Sequence, residues 1–254
     1  MMGRYSLVLP AAAAVALTAS QLASAADLGR PPPPPAPAYF PAPVYYWTGC
    51  HIGGDVGGAW MRDENTETVT ATGQPSPFSP VDTATPSGVK LGGYLGCDYQ
   101  FANPVVVGIE GDAEWANIRG GTVSYPNSDI PFLLPADTYE TRADFEASVR
   151  GRLGYAFQNW LFYATGGLAW ANIKEIYNSA FLLTSETFSN TQTGWTVGAG
   201  IEYAFAPNWV GRIEYRYADF GTLTNLPVIT FSGFTESHKI TENTVRAGIA
   251  YKFW

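Results

Sequence analysis

Beyond residue 45 the chain alternates between apolar and polar positions, residue by residue. In the stretch Val105 to Ile118, one face carries Val105, Val107, Ile109, Gly111, Ala113 and Trp115. The other carries Glu110, Asp112 and Glu114. From Phe145 to Phe157 the apolar row is Phe145, Ala147, Val149, Leu153, Tyr155 and Phe157, set against Glu146, Ser148, Arg150 and Arg152. The rows Trp195 to Phe205 and Ile213 to Tyr217 repeat the pattern, with Glu202 on one opposite face and Arg212, Glu214 and Arg216 on the other. A period of two places successive side chains on opposite faces of a strand. No segment in this region holds a 3.6-residue period.

The strands also share an ending. Tyr-x-Phe closes them at Tyr99 and Phe101, Tyr155 and Phe157, Tyr203 and Phe205, and Tyr251 and Phe253. The first three endings run into short turns. The opposite ends run into long segments rich in Thr, Ser, Asn and Pro, over 61–87, 119–143, 175–193 and 222–241. Eight strands follow, at 46–60, 88–101, 105–118, 144–158, 161–174, 193–206, 209–220 and 242–253. Short turns at one end and long loops at the other describe an eight-stranded antiparallel up-and-down transmembrane β-barrel, an all-β fold.

The rival arrangement is a soluble eight-stranded barrel with an apolar cavity. Composition decides against it. Charged residues make up only 14% of the chain and aromatics 15%, against roughly 25% charged in an ordinary soluble domain. The apolar rows carry no Lys. The Tyr-x-Phe endings line up as an aromatic girdle at one membrane interface, with Trp115, Trp170 and Trp195 toward the other. The net charge of −8 argues against nucleic acid as a partner.

If the apolar rows face lipid, the charged rows face inward. An eight-stranded barrel is just wide enough for side chains to fill it. Glu110, Asp112, Glu114, Glu146, Arg150, Arg152, Glu202, Arg212, Glu214, Arg216 and Arg246 are thus expected to form a lumen network of ion pairs. The alternative is a charged pore lining that passes ions or small solutes.

Three further segments complete the reading. Residues 1–25, with Arg4, an apolar run and an Ala-Ser-Ala site, read as a secretory signal peptide. Residues 26–44, with five consecutive prolines, read as an extended periplasmic tether. Residues 45–254 form the barrel. Cys50 and Cys97 lie on the outward face near the short-turn ends of adjacent strands, which predicts a disulfide, the alternative being two thiols facing lipid. No nucleophile elbow, zinc motif or phosphate loop appears. His238, near Glu236, Ser237 and Glu242, reads as a solvated residue of the fourth loop. The chain therefore reads as a non-enzyme needing no cofactor.

WTGCHIGGDVGGAW at 47–60, WLFYATGGLAWANI at 160–173, GWTVGAGIEYAF at 194–205 and NTVRAGIAYKF at 243–253 together resemble the alphaproteobacterial outer-membrane immunogenic, small porin-like β-barrel family. His51 and Asp55 stand where that family commonly has an aromatic and Asn. The resemblance implies an abundant outer-membrane protein with roles in envelope integrity and contact with host surfaces. Lipid and lipopolysaccharide are the expected surroundings, with peptidoglycan a further partner near the tether. It also implies that Val245, Ala247, Ile249, Tyr251 and Phe253 are read by the outer-membrane assembly machinery, with Trp254 one residue of overhang.

Overall fold

The structure is a computed structural model that describes residues 45–76, 81–125, 137–180, 182–230 and 232–253. The expected signal peptide, the tether and Trp254 lie outside the described residues.

The strands are β1 (Gly49–Val69), β2 (Asp82–Ala84), β3 (Ser87–Gln100), β4 (Val105–Tyr125), β5 (Asp137–Phe157), β6 (Trp160–Ser179), β7 (Thr184–Ala206), β8 (Trp209–Asn225) and β9 (Phe234–Phe253). Eight long strands pair antiparallel with their sequence neighbours. β9 then pairs with β1 from Cys50↔Phe253 to Val69↔Phe234. This seam closes the ring. In lipid every backbone N–H and C=O must find a partner in the protein, so an open edge is not an option.

The short strand β2 continues one wall. β3 ends where Ser87 pairs with Trp60, and β2 takes over opposite Asp63, Glu64 and Asn65. Pro86 lies at the break. It has no N–H to donate, and only its carbonyl serves the ladder, accepting from Met61 N at 2.8 Å.

Strands reach further than the alternation indicates. β1 runs to Val69, β4 to Tyr125, β5 starts at Asp137, β7 at Thr184 and β9 at Phe234, all inside the segments expected as long loops. The cause is the change of surroundings. Above the membrane both faces of a strand meet water or other polar groups, so hydrophobic alternation fades while backbone pairing continues.

The apolar rows point outward. Leu95, Trp115, Leu153 and Ile213 are all more than half exposed, Trp115 at 78%. The eight Tyr-x-Phe aromatics, Tyr99 to Phe253, are exposed on the same side. Trp209 and Trp160 extend that ring through edge and tilted contacts with Tyr251 and Tyr203. Trp60, Trp115 and Trp195 are exposed at the other end of the apolar band.

Candidate functional site

The inward rows fill the lumen in layers. At the short-turn end Trp47, Val106, Leu161, Tyr163, Ala204 and Val210 make an apolar plug. Above it lie the charges. Arg150 donates to Glu110 at 2.6 Å, Asp112 at 2.8 Å and Glu214 at 2.6 Å. Arg246 donates to Glu214 at 2.7 Å and Glu114 at 2.8 Å, and lies 3.1 Å from Asp55. Arg212 binds Glu110 at 2.7 Å and Asp55 at 3.0 Å, its guanidinium stacked 3.3 Å from the centre of the Tyr94 ring. Arg216 binds Asp112 and Glu114, and Arg152 binds Glu110 and Glu202. All these side chains are nearly inaccessible.

The eleven residues expected to share the lumen therefore do share it. Glu146 joins through a residue that the alternation did not single out. Lys90 reaches Glu146 at 2.5 Å and Glu242 at 2.6 Å. Its signal was present, because Lys90, Tyr94 and Asp98 share one parity on β3. Fork-shaped guanidinium groups suit such a network, since each can hold two or three carboxylates in fixed directions.

Glycine makes room for the rings among these charges. A Cβ at Gly53 would lie 2.5 Å from Tyr94 Cζ and 2.6 Å from the Ile249 carbonyl. On the outward side Cys50 and Cys97 are register partners and are joined by a disulfide.

Over the charges lies a second apolar layer that includes Met61, Ile118, Ile173, Phe220 and Ile240. Beyond it, past the outer Trp ring, is a further polar cluster that the sequence reading did not assemble. His238 is not a solvated loop residue. It stands on β9 with its side chain wholly buried. Its Nδ1 lies 3.0 Å from Asp63 Oδ1 and 3.5 Å from Glu175 Oε1, and its Nε2 meets the Tyr177 hydroxyl at 2.6 Å. Burial works against a charged imidazole, but the hydrogen bond and charge of Asp63, with Glu175 and Glu236, raise its pKa above the usual 6.5. Burial, with Asp63 beside it, pushes the Glu175 carboxyl up to about 7. The readable signal was parity: Glu236, His238, Ile240 and Glu242 continue the inward row of Arg246.

The outer membrane protein beta-barrel domain family matches residues 9–253 of the chain. The 31 kDa outer-membrane immunogenic protein of Brucella melitensis is 34% identical over 231 residues, covering 87% of this chain and 89% of that protein. The 25 kDa outer-membrane immunogenic protein of Brucella abortus is 31% identical over 250 residues, 98% of each chain. Among solved structures, the outer membrane protease OmpT of Escherichia coli aligns with a TM-score of 0.50 at 9% identity, over 84% of this chain and 99% of that one, a likeness of fold alone. The strands close into a ring, the family model spans nearly the whole chain, and the chain belongs to the outer-membrane β-barrel family.

Proposed function

We propose that the protein serves the outer membrane as a structural and surface-contact element and does not conduct solutes. The observation that carries this reading is the filled lumen. An apolar plug, a charge network and a second apolar layer follow one another along the barrel axis. A solute passing through would have to separate Arg150 from three carboxylates at once. Breaking buried pairs of this kind costs several kcal/mol.

The strand ends above the outer Trp ring support the surface role. They hold the loops clear of the hydrocarbon, where lipopolysaccharide and host surfaces are within reach. The row Val245, Ala247, Ile249, Tyr251 and Phe253 faces outward along the whole lower part of β9, which suits its reading by the assembly machinery. No catalytic role is assigned. His238 and its carboxylates are sealed from any substrate by the described residues around them.

Planar bilayer recording on the purified, folded monomer tests the reading. The expected trace has no stable conductance steps. Regular, long-lived channels from pure monomer would overturn it in favour of a small porin. In cells, loss of the protein should raise detergent sensitivity without slowing solute uptake.

A further inference from the structure

Asp63 on β1, Glu175 on β6 and His238 on β9 meet inside the barrel mouth, and each can offer one ligand atom within 4.8 Å of the others. All three side chains are at 0% exposure. The other polar atom of each is already held from outside. Thr141 donates to Asp63 Oδ2 at 2.6 Å, Asn225 donates to Glu175 Oε2, and Tyr177 bonds His238 Nε2. Partners of this kind fix ligand orientation around a metal. The atoms left over are Asp63 Oδ1, Glu175 Oε1 and His238 Nδ1, and they face one another. Glu175 Oε1 accepts no hydrogen bond although it is buried.

Charge points the same way. In the network below, every carboxylate from Asp55 to Glu242 has an Arg or Lys within ion-pair distance. In the mouth, Asp63, Glu67, Glu175 and Glu236 are all buried. Among the described residues no Arg or Lys pairs with any of them, and His238 is the one basic side chain beside them. Glu67 and Glu236 face each other across the β1–β9 seam, one to two inward positions further out.

We propose that Asp63, Glu175 and His238 bind one divalent transition-metal ion, with zinc the foremost candidate. Imidazole nitrogen with carboxylate oxygen favours zinc and its neighbours over calcium, which takes six to eight oxygens. Tetrahedral zinc with bonds near 2.0–2.1 Å sets its ligand atoms roughly 3.3 Å apart. The two separations from His238 Nδ1, 3.0 Å and 3.5 Å, bracket that value. On binding, the Nδ1 proton leaves to solvent and the ion takes its place between the carboxylates, while Nε2–H keeps its bond to Tyr177. Bound metal ties β1, β6 and β9 together across the mouth.

The test uses the full folded protein in detergent, stripped with a chelator and titrated with zinc chloride by calorimetry, with calcium chloride in parallel. One zinc per chain and no calcium is the expected result. Loss of an orienting partner weakens metal sites roughly 10–100-fold, so Thr141→Ala should fall in that range and Glu175→Gln should lose at least as much. Heat-modifiable migration on gels reports whether each variant is folded. A readout that needs no variant comes from imidazole NMR, because the protein has two histidines, His51 and His238. Zinc should shift the His238 ring and leave His51 unmoved. Folded protein that takes up no zinc, a shift confined to His51, or unchanged affinity in folded Glu175→Gln would each overturn the proposal and leave the cluster as a plain imidazolium between two carboxylates.

Discussion

Lys90→Met isolates the weakest-insured part of the charge network. The Lys90 ammonium is 1% exposed and touches Glu146, Glu242 and Glu114 at 2.5, 2.6 and 3.4 Å. Glu114 keeps Arg216 and Arg246 after the change. Glu146 and Glu242 keep no Arg or Lys among the described residues. Leaving a buried charge uncompensated costs about 3–5 kcal/mol. Lys90→Met should therefore cost about 4 kcal/mol. Arg150→Met is the comparison. Its three carboxylates retain Arg152, Arg212, Arg216 and Arg246, so the loss should be smaller, about 2 kcal/mol. Adding Glu146→Gln and Glu242→Gln to Lys90→Met should recover most of the deficit. Equilibrium urea unfolding in lipid vesicles, followed by Trp fluorescence, measures all four proteins. Equal losses for Lys90→Met and Arg150→Met, or no recovery on adding the two Glu→Gln changes, would refute the reasoning.

Other outcomes follow from single contacts. Gly53→Ala forces a methyl against the Tyr94 ring and the Ile249 carbonyl, and should cost about 1–3 kcal/mol. Gly54→Ala, whose nearest neighbour is the Gly92 carbonyl at 3.6 Å, should be close to neutral in the same unfolding measurement. Glu186, well above the outer Trp ring, accepts from Val228, Ile229 and Thr230. Its slight burial is outweighed by these bonds, which hold the carboxyl below its usual 4.5. A lowered folded pKa gives stability that is complete above the unfolded value and lost as pH falls through the folded one. Amide exchange at Val228 to Thr230 should therefore accelerate below about pH 4.5, and Glu186→Gln should bring that acceleration at neutral pH. Phe253→Ala should lower membrane-inserted yield more than removal of Trp254. The reverse order would place the assembly signal one residue later.

The alternation of residues 105–118, 144–158 and 209–220 was enough to name the strands, their outward faces and the charged rows inside. Lipid makes this legible. It admits only apolar side chains on one face, so the period of two is written strongly into every spanning segment. The Tyr-x-Phe endings carried the register of the lower rim for the same reason, since aromatic rings are favoured at one depth. Where the constraint lapses, legibility lapses with it. Above the outer Trp ring both faces are largely polar, so the extra length of strand could not be told from loop, and the parity that His238 shares with Arg246 carried weight only once β9 was known to extend that far.

Which inward charges meet was a matter for the tertiary structure alone. Lys90 and Glu242 are 152 residues apart, Asp63 and His238 175. Parity says that such residues face the lumen. Their height along the axis depends on strand tilt and on the stagger accumulated around the closed ring, which no single strand records. The sequence by itself determined what is inside and what is outside. The closure of β9 on β1 decided who is next to whom.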